Sequence, residues 1–129
     1  MRIALIVTLL LNGCAGDETI SAFADRDAVY VLRDIDGTAF TPKATIAFPA
    51  KGEAQGAGPC NAWSADQSAV YPWFELGPIA ATKTACPDLD AEGVYFAALA
   101  AARFVEVQGP VLILTSEDGA ELTFNAAQP

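Results

Sequence analysis

The sequence predicts an α+β fold: a mainly antiparallel sheet, curled into a partial barrel, with one helix packed against it. Three observations carry that expectation. Short apolar segments of strand length recur with Gly- and Pro-containing turns between them, one segment alone has the length and composition of a helix, and strands lie on both sides of it in the chain. With 129 residues, 53% of them hydrophobic, the chain can bury one real core but not two.

Taken in order, Ala28 to Ile35 has strand composition and is followed by the turn pair Asp36-Gly37. Ala44 to Phe48 reads as a second strand, ended by Pro49. Gly52 to Gly58 is glycine-rich and pairs as an irregular strand, its glycines marking bulges or close backbone approach. Val70 to Leu76 carries Tyr71, Trp73 and Phe74 and is a further strand, with Pro72 arguing for an edge or a bend, and Ile79 to Thr84 adds one more. The helix runs from Leu89 to Arg103. Asp88 is placed to cap it, Asp90 and Glu92 suit its positive end, and Leu89, Phe96 and Leu99 with several alanines form its apolar face. Phe104 to Gln108, Val111 to Thr115 and Glu121 to Phe124, separated by Gly109-Pro110 and Asp118-Gly119, close the chain as two hairpins.

The N-terminus reads differently. Met1-Arg2 gives a positive charge, Ile3 to Leu11 is apolar, and Asn12-Gly13-Cys14 follows. These are the three parts of a signal peptide, and the apolar run is far short of the roughly 18–20 residues a spanning helix needs. Leu11-Asn12-Gly13-Cys14 resembles the lipobox of bacterial lipoproteins, with Asn12 a less usual occupant. The resemblance implies cleavage of residues 1–13, lipid on Cys14, and stable anchoring through more than one acyl chain. Ala15 after the cysteine implies the outer membrane, facing the periplasm. Residues 14–27 are then expected as a tether and 28–125 as the domain.

Charge and composition narrow the partners. The whole chain carries a formal charge of −9, with 7 basic against 16 acidic residues, and loss of Arg2 makes the exported part more acidic still. Such a surface repels nucleic acid and anionic headgroups, so neither is expected as a direct partner. There is no histidine, which removes Ser-His-Asp and Cys-His catalysis and histidine-ligated zinc together.

Three features remain that bear on chemistry. Asp34-Ile35-Asp36-Gly37-Thr38 looks like the nucleophile motif of haloacid-dehalogenase-type phosphatases, which needs both carboxylates at the end of a buried parallel strand. Arg33 interrupts the required apolar run, no regular alternation of strands and helices follows, and a plain strand ending in an Asp-Gly turn is the expectation. Cys60 and Cys86 are the even pair left once Cys14 is assigned to lipid, which suggests a disulfide. Free thiols or a redox pair are the alternatives, without a Cys-x-x-Cys spacing to favour them; a two-thiolate metal site is the least favoured. Trp63, Tyr71, Trp73 and Phe74 either fill the core or, for Trp63, Tyr71 and Trp73, line a ligand cleft or partner surface. With Pro72 at an edge, Trp73 is the one to watch.

Taken together, Val31-Leu32 with Ile35-Asp36-Gly37, Thr45 to Phe48, Gly56-Ala57-Gly58-Pro59-Cys60-Asn61, Thr82-Lys83-Thr84-Ala85-Cys86-Pro87, Tyr95 to Leu99 and Leu112 to Phe124 resemble the META domain family, of the HslJ-like lipoprotein type. The likeness runs from Tyr30 to Phe124. It implies a Cys60–Cys86 bond, no catalytic residues and no cofactor. It also implies an envelope protein linked to stress or antibiotic tolerance, with secretion and motility as further roles; the reading adopted from it is a monomeric, non-enzymatic domain that meets the membrane through Cys14 and works by binding an envelope protein partner. A small apolar ligand or lipid is the alternative target. Pro59 and Tyr30 depart from the family pattern, at the residue before the first cysteine and near a usual tryptophan.

Overall fold

A computed structural model describes residues 16–127; Cys14 and the signal segment lie outside them. Strand β1 (Tyr30–Ile35) turns through Asp36 and Gly37 into the two-residue β2 (Thr38–Ala39). Both turn residues have positive φ, 52° and 81°, the combination that makes Asp-Gly a hairpin turn. β3 (Thr45–Ile46) lies antiparallel to the start of β1, and β4 (Gly52–Ala57) and β5 (Ala62–Gln67) form a hairpin extended by β6 (Ala80–Ala81). Helix α1 (Leu89–Ala101) leads directly into β7 (Ala102–Gln108), and β8 (Val111–Ser116) and β9 (Glu121–Ala126) complete the chain.

Every strand pairing is antiparallel. The larger sheet has the order β2-β1-β9-β8-β7, with β3 also on β1, and the smaller has the order β4-β5-β6. Neither closes on itself, so the expected curled sheet with one helix is what forms, as two open sheets joined where Ala47 bridges Gln55. The two closing hairpins stand where their turn residues place them.

Alternation fixes the faces. Along β8, Leu112, Leu114 and Ser116 point inward, and their neighbours are half-buried on the opposite face. Tyr30, Phe48, Phe74, Tyr95 and Phe124 are fully buried together with Ile46, Leu99, Leu112 and Leu114. Each such side chain contributes about 1.5–3 kcal/mol relative to exposure. Phe48 meets Phe74 edge-on at 6.2 Å and Phe124 meets Tyr95 at 6.4 Å, so the core is filled by aromatic contacts rather than left as a barrel lumen.

Four expectations are corrected. Val70 to Leu76 is not a regular strand: its backbone pairs with the sheets at the isolated bridges Trp73–Phe104 and Gln67–Leu76, and the Tyr71-Pro72 peptide is cis. Proline removes a ladder donor, which leaves the segment as a strap along β7. β5 was not anticipated, because Ala62–Gln67 mixes small and polar residues that carry little strand signal by themselves. In α1 the inward residues are Glu92, Tyr95 and Leu99 rather than Leu89, which is 48% exposed. The Asp88 side chain makes no capping bond, and its carbonyl instead accepts from the Glu92 N–H.

The fourth concerns residues 14–27, expected as a tether. Thr19, Ile20 and Ser21 are buried, and a short 3-10 helix spans Ile20–Ala22. The Asp17 carboxylate accepts from the Thr19 N–H at 2.8 Å, from the Thr19 and Ser21 hydroxyls and from Arg26 Nη2 at 2.9 Å. Ile20 supplies the apolar anchor, and the backbone that goes in with it is satisfied by the Thr19 N–H on Asp17, by Arg26 Nε on the Ser21 carbonyl and by the Ala22, Phe23 and Ala24 N–H groups on the Thr19 and Ile20 carbonyls.

Candidate functional site

Gly56-Ala57-Gly58-Pro59-Cys60-Asn61, Thr82 to Pro87 and the first half of α1 come together at one end of the smaller sheet. Asn61, 6% exposed, is the centre. Its N–H and Nδ2 donate to Glu92 Oε1 and Oε2 at 3.0 and 2.9 Å, and Nδ2 also donates to the Thr84 carbonyl at 3.0 Å. Its Oδ1 accepts from the Thr82 hydroxyl at 2.9 Å and the Thr84 N–H at 2.6 Å, while its carbonyl accepts from the Gly58 N–H at 2.7 Å. Every polar group of this asparagine is used, the condition under which a buried polar network adds rigidity instead of a penalty.

The glycines of the segment are required by space. A Cβ on Gly56 would lie 2.0 Å from the Thr45 carbonyl oxygen, and one on Gly58 would lie 2.6 Å from Glu92 Oε1. Cys60 and Cys86 form a disulfide with Cα atoms 5.6 Å apart, tying the loop that holds Asn61 to the 82–87 segment that Asn61 binds. Outside this lock, a cleft of about 370 Å³ opens between the 82–87 segment and α1, lined chiefly by Asn61, Thr82, Lys83, Leu89, Glu92 and Phe96. Its lining is mostly apolar side chain, with Lys83 the single cation in it. Among the described residues no group of three His, Cys, Asp or Glu is placed to hold a metal ion.

The aromatic candidates separate. Trp63 is core, 3% exposed, and packs edge-on to Tyr95 at 6.4 Å and Phe96 at 6.5 Å. Its indole N–H has no hydrogen-bond partner. The Tyr95 hydroxyl donates to the Thr45 carbonyl at 2.7 Å; burial drives its pKa far above the ordinary phenol range, opposed by the nearby indole N–H, which favours the phenolate. Tyr71 is half-buried, stacked on Phe23 at 4.2 Å, and its hydroxyl accepts from the Val107 N–H. Trp73 is 59% exposed and lies against Phe104, itself 38% exposed, at 5.1 Å. The Val105 N–H donates to the Pro72 carbonyl and the Phe74 N–H to the Arg103 carbonyl, so the strap covers the free edge of β7 while Phe74 turns inward and Trp73 outward.

Asp34 and Asp36 sit at the β1–β2 hairpin, on a strand whose neighbours are all antiparallel. The parallel-strand terminus that a phosphatase nucleophile needs is not there. Three residues important to the site went unflagged in the sequence. Glu92, read as a helix-end charge, is the buried acceptor for Asn61, and its place three residues before Tyr95 and seven before Leu99, on one helix face, was the available signal. Phe23 and Phe104 had none, being single aromatics in otherwise ordinary contexts.

The profile of the META domain matches residues 23–129. The fold is similar to an NMR structure of a protein from Burkholderia xenovorans, 24% identical, with a TM-score of 0.64 over 80% of this chain and 83% of that one. It is also similar to a second NMR structure, 19% identical, with a TM-score of 0.61 over 78% and 89% of the two chains. A crystal structure of a DUF4847 family protein from Bacteroides vulgatus is 21% identical, with a TM-score of 0.55 over 67% of this chain and 60% of that chain. No curated protein matches. With the paired glycine–cysteine–asparagine and cysteine–proline segments joined around Asn61, and the profile spanning nearly the whole described domain, this chain belongs to the META domain family.

Proposed function

We propose that this protein is a lipid-anchored, non-enzymatic domain of the bacterial envelope, carried on Cys14 at the outer membrane and facing the periplasm, that works by binding another protein. Its setting is stress or antibiotic tolerance, in keeping with the family resemblance. One observation carries the protein-binding reading: Trp73 and Phe104 form an exposed aromatic ledge on a strap whose next residue, Phe74, is fully buried. An exposed tryptophan braced by a second ring is the type of group that anchors protein interfaces. Glu106 shares the outer face of β7 with Phe104, and Glu75 follows two residues after Trp73, so a partner with an apolar residue flanked by basic side chains fits this surface.

The test is complementation. In a strain lacking this protein and challenged with heat and with large apolar antibiotics, the wild-type gene is expected to restore tolerance, and the pair Trp73→Ala with Phe104→Ala is expected to fail although the protein accumulates folded. Full rescue by the double variant would remove the ledge from the functional account.

A second reading has its own support. The cleft beside the Asn61 lock, about 370 Å³ and mainly apolar, is within the size range of small-ligand sites and would take an acyl or other apolar group with a terminal anion near Lys83. Titration with a fluorescent fatty acid distinguishes it: saturable binding lost in Leu89→Asp and retained in Trp73→Ala supports the cleft, and absence of saturable binding ends this reading.

A further inference from the structure

We propose that the domain rests directly on a zwitterionic bilayer through Phe23, Val70 and Tyr71, a contact face built beside the anchor; the proposal depends on acylation of Cys14. Because Thr19, Ile20 and Ser21 are buried and Asp17 is bound to Thr19, Ser21 and Arg26, the chain joins the domain at Asp17. From Cys14 to Asp17 are only three residue steps, at most ~11 Å when fully extended. The headgroup layer on one side of a bilayer is itself about 5–8 Å deep. The surface around Asp17 therefore cannot leave the membrane boundary while the acyl chains stay inserted.

The residues at that boundary suit it. The Tyr71 N–H donates to the Glu18 carbonyl at 2.8 Å, which holds the 70–71 turn against the first residues after the anchor. Phe23 stacks on Tyr71 with rings 4.2 Å apart and 15° from parallel, and Phe23 and Val70 are 52% and 50% exposed. Two exposed apolar side chains gather where the chain leads to lipid, and the Tyr71 ring beneath Phe23, its hydroxyl held by the Val107 N–H, braces them there; apolar and aromatic groups of this kind are favoured at the headgroup level. The contact is peripheral, since no described helix is long and apolar enough to cross a membrane. Glu18, Asp25 and Asp27 surround Phe23 in the chain and the total charge is −9, so the headgroups are zwitterionic, because an anionic surface would oppose the approach.

Lipidated full-length protein in phosphatidylcholine vesicles with brominated acyl chains tests this, with acylation first verified by mass. In a Trp73→Phe background, Trp63 is buried and gives a constant signal, so one added tryptophan reports position against it. Phe23→Trp and, independently, Val70→Trp are expected to be quenched several-fold more than Asp118→Trp, placed in the β8–β9 turn. That turn lies at the opposite end of β8 from the Tyr71–Val107 contact. Equal, weak quenching at all three positions in acylated protein overturns the proposal; absence of acylation overturns the anchor on which it depends, and the mass tells the two apart. Stronger quenching in vesicles rich in phosphatidylglycerol than in pure phosphatidylcholine would also overturn the assignment to a zwitterionic surface.

Discussion

Asn61 and Trp73 both sit in the middle of the chain, yet they are put to opposite uses. Asn61 is 6% exposed with each of its polar groups bonded, whereas Trp73 is 59% exposed and held only by Phe104 and a strap. The first belongs to the segments by which the family is recognised, the second does not. The motif residues around Asn61 are consumed in holding β4, β5, the 82–87 segment and α1 together, so membership in the family speaks to architecture. What this protein does must then be sought where side chains are left unbonded, on the ledge, around Phe23 and Val70, and in the cleft. The comparison has a direct experimental form, since changes at the lock should cost stability and changes on the exposed face should not.

The largest effect is expected at the lock. Asn61→Ala removes four side-chain bonds and leaves the Glu92 carboxylate buried with one partner, the Asn61 N–H. Loss on the order of 4 kcal/mol is expected by denaturant unfolding. A double-mutant cycle with Glu92→Ala should show coupling above about 1 kcal/mol; strictly additive losses would mean that the two residues do not act as one unit. Next comes the disulfide. Its sequence separation of 26 gives about 3.5 kcal/mol by the chain-entropy estimate, so Cys60→Ala and Cys86→Ala should lower stability alike, and reduction of the wild type should reproduce the loss. Unequal losses with no effect of reductant would break that expectation.

At the exposed face the expectation reverses. Trp73→Ala removes only a surface ring pair and should cost less than about 1 kcal/mol, while abolishing whatever the ledge binds. A loss comparable with that of Asn61→Ala would show that the strap, and not a partner, is what Trp73 supports.

How much of this was legible beforehand follows from the same division. The sheet, the single helix and the closing hairpins were readable because β8 opens on the apolar run Val111 to Leu114, β9 alternates polar and apolar residues, and their turns carry Gly109 and Gly119, which take positive φ. Asp36-Gly37 announced its turn for the same reason. β5 was not readable, because its identity as a strand comes from six partners on β4 and two on β6 and not from its own side chains. The lock was half legible. Gly56, Gly58 and Cys60 stood out, but the acceptor they serve, Glu92, lies a long way along the chain and looked like an ordinary residue of a helix's first turn. The tether was misread because Ile20 is one apolar residue in a polar stretch, too little for any periodic signal, and only Asp17, Thr19, Ser21 and Arg26 acting together make its burial feasible.

The smallest expected effect tests that last point by pH. Partial burial alone would raise the Asp17 pKa, but hydrogen bonds from Ser21 and Thr19 and the charge of Arg26 outweigh it and hold the carboxyl at about 2. A carboxylate with a depressed folded-state pKa stabilises its contacts fully above the unfolded value near 3.8 and loses that stabilisation as pH falls through about 2. Nothing should change between neutrality and pH ~5; below that, docking of the Ile20 segment should weaken progressively. The Ile20 methyl resonances, which sit in the core, are the readout, and they should move toward exposed values only at the acid end. Asp17→Asn should flatten the profile. Arg26 is half exposed, so high salt should weaken its share and leave the Ser21 and Thr19 bonds intact, shifting the acid transition part of the way toward the ordinary carboxylate value. If salt removes the transition entirely, the ion pair alone fixes the segment. If neither salt nor Asp17→Asn alters it, Ile20 is held by apolar contact without help from Asp17, and the surface around Phe23 keeps its position down to acid pH.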